Sequence, residues 1–393
     1  MNSRNHRRRT RHRHSQPSGL GRVGAYWRWV LPLLLAALAW YLAFAVLPTY
    51  TAAAQRERTL QILDRIARLR AQAHQESDPA RARGFLLEAR DLLRRPDLAA
   101  DPDRAAQLRA AVEGDLLTVD RVKVPVRVIP LGQLPDSPGR LVLYGDLLYT
   151  LDPAGLRLSR WGFVPDRVRA EAARPQGVAY EGPRPGGPLQ PDLTVVPEGP
   201  NRGLVLFTGQ GLVLFRDGEA KAGSLRVGPE VGTVAAVEGF SENLYVLDPG
   251  GRRIWRYLPT WNGFDADPKP ALPYLPAGGI LGFAVDRVAF ALGLGGRLWL
   301  AQGNTWVEVD LSAVAPPPAA VRVIRADRQG GRVFLGDPEG GRLIVVDYGG
   351  RFLGQVVAPE LRGLSDLAVD GTLNRVYIIS RGTLYRVDLP EIR

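Results

Sequence analysis

Six times between residues 148 and 388 the chain writes a strand, a tight turn and a strand. The copies are LYTLDPAGLRLSRW (148–161), LVLFTGQGLVLFR (204–216), LYVLDPGGRRIWRY (244–257), LWLAQGNTWVEVD (298–310), VFLGDPEGGRLIVVD (333–347) and VYIISRGTLYRVD (376–388). Aligned on Tyr149, Val205, Tyr245, Trp299, Phe334 and Tyr377, they are spaced 56, 40, 54, 35 and 43 residues apart. A β-rich unit recurring at about 46 residues has the length of one four-stranded propeller blade. The expected fold over residues 119–393 is therefore an all-β propeller of about six four-stranded blades. With each hairpin taken as the outer pair of its blade, the connections that follow would gather on one rim.

The turns inside these copies carry chemistry-bearing residues, and two readings compete for them. Asp152, Asp248 and Asp337 hold the same place in three copies, and Gly-Gly-Arg recurs at 250–252, 295–297, 330–332, 340–342 and 349–351. An Asp that bonds its own backbone, followed by glycines free to take positive φ, is what a hairpin turn needs. A catalytic group does not recur in equivalent turns. None of the Gly-Gly-Arg stretches lies between a strand and a helix, where a phosphate-cradling loop belongs.

The blade LSDLAVDGTLNRVYIISRGTLYRVDL (364–389) resembles the NHL-type and gluconolactonase-type β-propellers: an apolar pair before Ala-Val-Asp, then a strand, a turn and an outer strand. GFAVDRVAFALGLGGRLWLAQGNTWVEVDL (282–311) is a looser copy. The resemblance covers roughly residues 120–393 and implies six blades. Propellers of the gluconolactonase type bind a divalent metal in the central channel through Glu, Asn and Asp. For such a site the propeller offers Glu238, Asn243, Asp286, Asn304, Asp327, Asp370 and Asn374; Asp286 and Asp370, in the Ala-Val-Asp spots, are the metal candidates under that resemblance, against an ordinary role at turns and strand ends.

The N-terminal part follows other rules. Residues 1–28 hold eight of the 48 arginines and no acid, so the rest of the chain carries only +3 of the formal +11. This basic tail precedes WVLPLLLAALAWYLAFAVLP (29–48), twenty residues without a charge. At about 1.5 Å per residue such a run matches a hydrocarbon core of roughly 30 Å. It is expected to be a single-pass transmembrane helix with the N-terminus cytoplasmic and the rest outside; a cleaved signal peptide is the rival reading. The tail reads as a topology determinant touching anionic lipid rather than as a nucleic-acid arm, because it lacks interleaved aromatics.

Residues 52–117 are expected to form an α-helical spacer. Ile62, Ile66, Leu69 and Ala73 make one apolar stripe, and Asp78-Pro79 and Asp101-Pro102 are helix starts. The predicted layout is thus tail 1–28, membrane helix 29–48, spacer 52–117 and propeller 119–393.

Aromatic rings crowd one long connection and its flank: Trp255, Tyr257, Trp261, Phe264 and Tyr274. Such rings either stack on a sugar or a peptide, which makes them binding-face candidates, or plug the groove between blades. The four histidines are 6, 12, 14 and 74, and there is no cysteine. Ser–His and Cys–His pairs and histidine-bound metals are therefore excluded from the propeller.

Two functional readings follow. The first is a membrane-anchored, extracytoplasmic, non-enzymatic module binding a protein, peptide or glycan, with no cofactor. The second is a lactonase- or esterase-like hydrolase in which a carboxylate-bound cation, calcium for instance, polarises a carbonyl.

Overall fold

The structure is a computed structural model that describes residues 23–135, 139–164, 172–182, 190–216, 219–318 and 320–392. The basic tail lies outside the described residues. The chain divides into two compact units, residues 1–75 with 84–113, and residues 76–83 with 114–393.

In the first unit helix α1 (Val23–Tyr41) passes through a five-residue π-helical turn, Leu42–Val46, into α2 (Leu47–Gln75). Among the described residues no helix is long and apolar enough to cross a membrane. The run 29–48 is not the single spanning helix expected: α1 ends at Tyr41, the π turn interrupts the ladder, and α2 belongs mostly to the polar sequence beyond Gln55. The buried stripe of α2 is Thr59, Leu63, Ile66, Leu69 and Ala73. Leu63 thus replaces the expected Ile62, one position round the helix. Helix α3 (Pro79–Leu92) starts with Asp78 Oδ1 accepting from the Ala80 amide at 3.0 Å. Helix α4 (Pro102–Val119) starts with Asp101 Oδ1 accepting from Arg104 N at 3.2 Å. Both starts are as expected. Arg104 also reaches Asp64 at 2.8 Å, and Arg65 reaches Glu88 at 2.6 Å.

From Val122 onward the second unit forms six sheets among the described residues. Counting strands from the inside outward, blade 1 is Arg140–Tyr144, Leu147–Asp152, Arg157–Val164 and Ala172–Glu181. Blade 2 is Asp192–Val196, Gly203–Phe207, Leu212–Arg216 and Glu219–Leu225. Blade 3 is Ala236–Phe240, Asn243–Asp248, Arg253–Tyr257 and Lys269–Pro270. Blade 4 is Ile280–Val285, Ala289–Gly293, Leu298–Gln302 and Thr305–Glu308. Blade 5 is Val323–Asp327, Arg332–Asp337, Arg342–Asp347 and Phe352–Val357. Blade 6 is Leu364–Asp370, Arg375–Ser380, Thr383–Asp388 and, from the other end of the unit, Arg127–Gln133. The six inner strands neighbour one another in a closed ring. The unit is a six-bladed β-propeller.

Each interface between neighbouring blades holds its own apolar cluster, such as Val205, Phe207, Val237, Val246 and Tyr257 between blades 2 and 3. Two blades take an extra parallel strand: Gly263–Phe264 pairs with the outer strand of blade 2, and Val122–Lys123 with that of blade 5.

The repeats are therefore second and third strands, not the outer pair, and the copy at 298–310 is the third and fourth strands of blade 4. The true equivalent of Tyr245 there is Phe290, 45 residues on and 44 before Phe334, so the irregular spacings of 54 and 35 disappear. The turn aspartates behave as turn residues. Asp248 accepts from the amides of Gly251, Gly232 and Thr233, and Asp337 accepts from Gly340 N and from the Arg342 guanidinium at 2.8 Å.

Candidate functional site

Strand direction alternates across each blade, so the turns after inner strands and the connections after third strands share one rim, here called the upper. The loop 258–268 lies on that rim. Tyr274 follows the short fourth strand of blade 3 and lies on the lower rim, where the Arg253 guanidinium sits 3.3 Å from the centre of its ring. The expectation of a single aromatic face is corrected accordingly. Trp255, Tyr257 and Phe264 are core residues between blades 2 and 3. Trp255 points its Nε1 at Asp248, 3.4 Å away. Only Trp261, 92% exposed, and Tyr274, 61% exposed, remain at the surface, on opposite rims.

Asp286 and Asp370 do not meet either. Asp286 ends the inner strand of blade 4 and accepts a hydrogen bond from the Tyr348 hydroxyl. Asp370 ends that of blade 6 and accepts from the Leu373 amide at 3.2 Å. Among the described residues no three His, Cys, Asp or Glu side chains are grouped as metal ligands would be. These two aspartates do not fit a carboxylate-bound cation.

What the fold brings together is a belt of five charged side chains across the central channel. Arg140 of blade 1 holds Asp192 of blade 2 and Glu238 of blade 3, both at 2.9 Å, and donates from Nε to the Leu193 carbonyl at 3.0 Å. Arg325 of blade 5 donates to Asp366 of blade 6, and its Nη1 lies 4.0 Å from Glu238. Three of the carboxyl and hydroxyl groups here also take a backbone amide from the next blade's inner strand. Asp366 Oδ2 accepts from Leu141 N at 2.7 Å, Asp192 Oδ2 from Val237 N at 2.7 Å, and Thr194 Oγ1 from Gly239 N at 2.9 Å.

The electrostatics of the Arg140–Asp192 pair pull in two senses. Burial works against the charge on Arg140, but Asp192, Glu238 and Asp366 outweigh it, and its pKa is raised. Burial also pushes the Asp192 carboxyl up, against the pull of Arg140 and of the Val237 and Leu193 amides. A guanidinium does not lose its proton in a protein, so the geometry favours the charged pair.

Above the belt, toward the upper rim, lies a cavity of about 540 Å3; below it is a smaller one of about 250 Å3. Arg140, Glu238 and Arg325 line both. A volume of 540 Å3 falls in the range of small-ligand sites.

Sequence reasoning missed the belt. Its signal was the repeated pattern Asp-Leu-x-Val, at Asp192–Val195 and Asp366–Val369, with an acid where an inner strand is otherwise apolar.

No family model and no curated protein matches the sequence. Among solved structures the chain is similar to a streptogramin B lyase, at 12% identity and a TM-score of 0.44, covering 68% of this chain and 98% of that one. It is similar to the virginiamycin B lyase of Staphylococcus aureus at 12% identity and a TM-score of 0.40, covering 68% and 89%. The C-terminal WD40 domain of Sif2 follows at 13% and 0.38, covering 69% and 99%. The propeller stands on its own strand topology, and these likenesses say nothing of chemistry.

Proposed function

We propose that this chain is a membrane-tethered propeller that binds a partner rather than transforming one, and that it displays the propeller outside the cytoplasm. The observation that carries the reading is the commitment of the channel's carboxylates. Asp192, Glu238 and Asp366 are each held by a guanidinium, and two of them by backbone amides as well. A nucleophile and its base need two groups with lone pairs aimed at one substrate, and of these three carboxylates only Glu238 keeps one, on Oε2. The propeller has no histidine or cysteine to pair with it. The partner is a protein, peptide or glycan met by the rims of the propeller. The blade cadence at 364–389 is the support for kinship with NHL-type and gluconolactonase-type propellers.

The tether is supported by the surface of the first unit. Leu31, Leu33, Leu34, Leu35, Leu38, Trp40 and Phe44 are each more than half exposed, and the helical path runs on through the π turn. A contiguous apolar surface of that kind marks a membrane or protein contact. The arginines preceding it support a cytoplasmic N-terminus.

Two measurements test the proposal. The full-length chain should stay with membranes after a high-salt and alkaline wash, and externally added protease should cut the propeller in intact spheroplasts. Purified protein should turn over neither lactones nor aryl esters, in calcium or in EDTA. Turnover lost in a Glu238→Gln variant would overturn the binding reading, and release by the wash would overturn the tether.

A further inference from the structure

The upper cavity is negatively charged on balance, and its charges are unevenly engaged. Its lining carries three guanidiniums, those of Arg140, Arg325 and Arg328, and four carboxylates, those of Asp146, Glu238, Asp327 and Asp370. The balance of the lining is one negative charge, in a cleft whose low-dielectric walls focus the field.

One carboxylate is the natural counter-ion. Asp366 is 1% exposed and Asp192 11%, and neither lines the upper cavity; Glu238 is 17% exposed and does. Its Oε1 accepts from Arg140 at 2.9 Å and its Oε2 only from the Thr194 hydroxyl at 3.3 Å. A carboxylate has about four lone-pair sites, so acceptor capacity remains on the cavity side. The cavity wall also carries apolar side chains, Val142, Val195, Val369 and Leu373.

We infer that the upper cavity binds a small organic cation, an ammonium group on an apolar body, with Glu238 as its counter-ion. The ammonium sits against Glu238 Oε2 and the body lies on the valine wall. This rests on reading the propeller as a binding module and names a ligand class for it. The ammonium can belong to a free amine or to a lysine side chain of a peptide.

The test is thermal unfolding and calorimetric titration of the full-length chain in lipid nanodiscs. The probes are n-pentylammonium, pentanol, pentanoate, calcium and a short Lys-containing peptide with its acetyl-lysine counterpart. n-Pentylammonium should raise the unfolding temperature by several degrees at saturating concentration, because a ligand of the folded state alone must do so. Pentanol, pentanoate and calcium should not. A shift with the Lys peptide that acetylation removes assigns the source to a peptide; a shift with the free amine alone assigns it to a small amine. Glu238→Gln should weaken pentylammonium binding by about tenfold or more. If that variant does not fold, Leu373→Arg leaves the belt intact, adds a cation at the exposed mouth, and should still weaken it several-fold. Equal shifts with pentanoate or calcium, no shift with any amine, or binding that survives both variants would overturn the site. The binding-module reading would survive such a failure, since only catalytic turnover removes it.

Discussion

The ring of inner strands has two unlike halves. From blade 6 through blades 1 and 2 to blade 3, one side chain per blade reaches the backbone of its neighbour: Asp366 to Leu141, Arg140 to Leu193, Asp192 to Val237. From blade 3 through blades 4 and 5 the same register carries Ala236, Gly282 and Val323, which have no side-chain donor or acceptor. There blades 4 and 5 are joined farther out, by the Tyr348 hydroxyl to Asp286 and by the Arg287 guanidinium to the Arg328 carbonyl. The difference teaches that a propeller needs no uniform lacing at its axis. Apolar clusters between blades suffice to close the ring.

The comparison can be broken most forcefully at Asp192. Asp192→Ala leaves Arg140 buried beside one fewer carboxylate and should cost about 3–5 kcal/mol, read by denaturant unfolding. A cost under about 1 kcal/mol would mean that the lacing is not structural. Trp255→Ala, in the cluster between blades 2 and 3, should cost a similar 3–5 kcal/mol through the cavity it leaves. Tyr348→Phe probes the other half and should cost about 1–2 kcal/mol, because it strips the Asp286 carboxylate of its partner.

Alkaline titration sharpens the same contrast. Burial, and then Asp286, raise the Tyr348 phenol well above its ordinary value, and burial, Glu230 and Asp248 do so for Tyr257. The folded protein keeps those protons where the unfolded chain releases them. Stability is therefore complete below the unfolded phenol value near 10 and falls as pH rises beyond it. Tyr348→Phe and Tyr257→Phe should each flatten that fall in unfolding measured between pH 9 and 11. The smallest effect is expected of Trp261→Ala, exposed on its loop, which should stay within about 0.5 kcal/mol of the parent.

Blade number and the strand–turn–strand pairs were legible because hairpin turns and β-branched runs are local signals, whereas the place of each pair within its blade, second and third rather than outer, was not. The slip of one strand at blade 4 has a local cause as well. Its second hairpin turn, Leu294–Gly296, has glycines but no aspartate, while Gly303-Asn304 one strand later mimics the turn of the other copies. The belt was illegible because its members stand 41 to 87 positions apart along the chain, and nothing local ties one to the next. The aromatic cluster misled for the opposite reason. Trp255, Tyr257, Trp261, Phe264 and Tyr274 are neighbours in sequence, yet a two-residue strand, Lys269–Pro270, sends the last of them to the other rim. Proximity along the chain was read as proximity in space.

Blade 6 sets an order of events during synthesis. Its outer strand, Arg127–Gln133, is made early, and the strand it pairs with, Thr383–Asp388, comes some 250 residues later, as the hydrogen bond from Gln133 to Thr383 measures. At ribosomal speeds of about 5–20 residues per second, that strand waits roughly 10–50 s with its edge unpaired. A nascent ring so placed stays open until its last hairpin has left the ribosome, and for that interval it depends on whatever shields a bare strand edge.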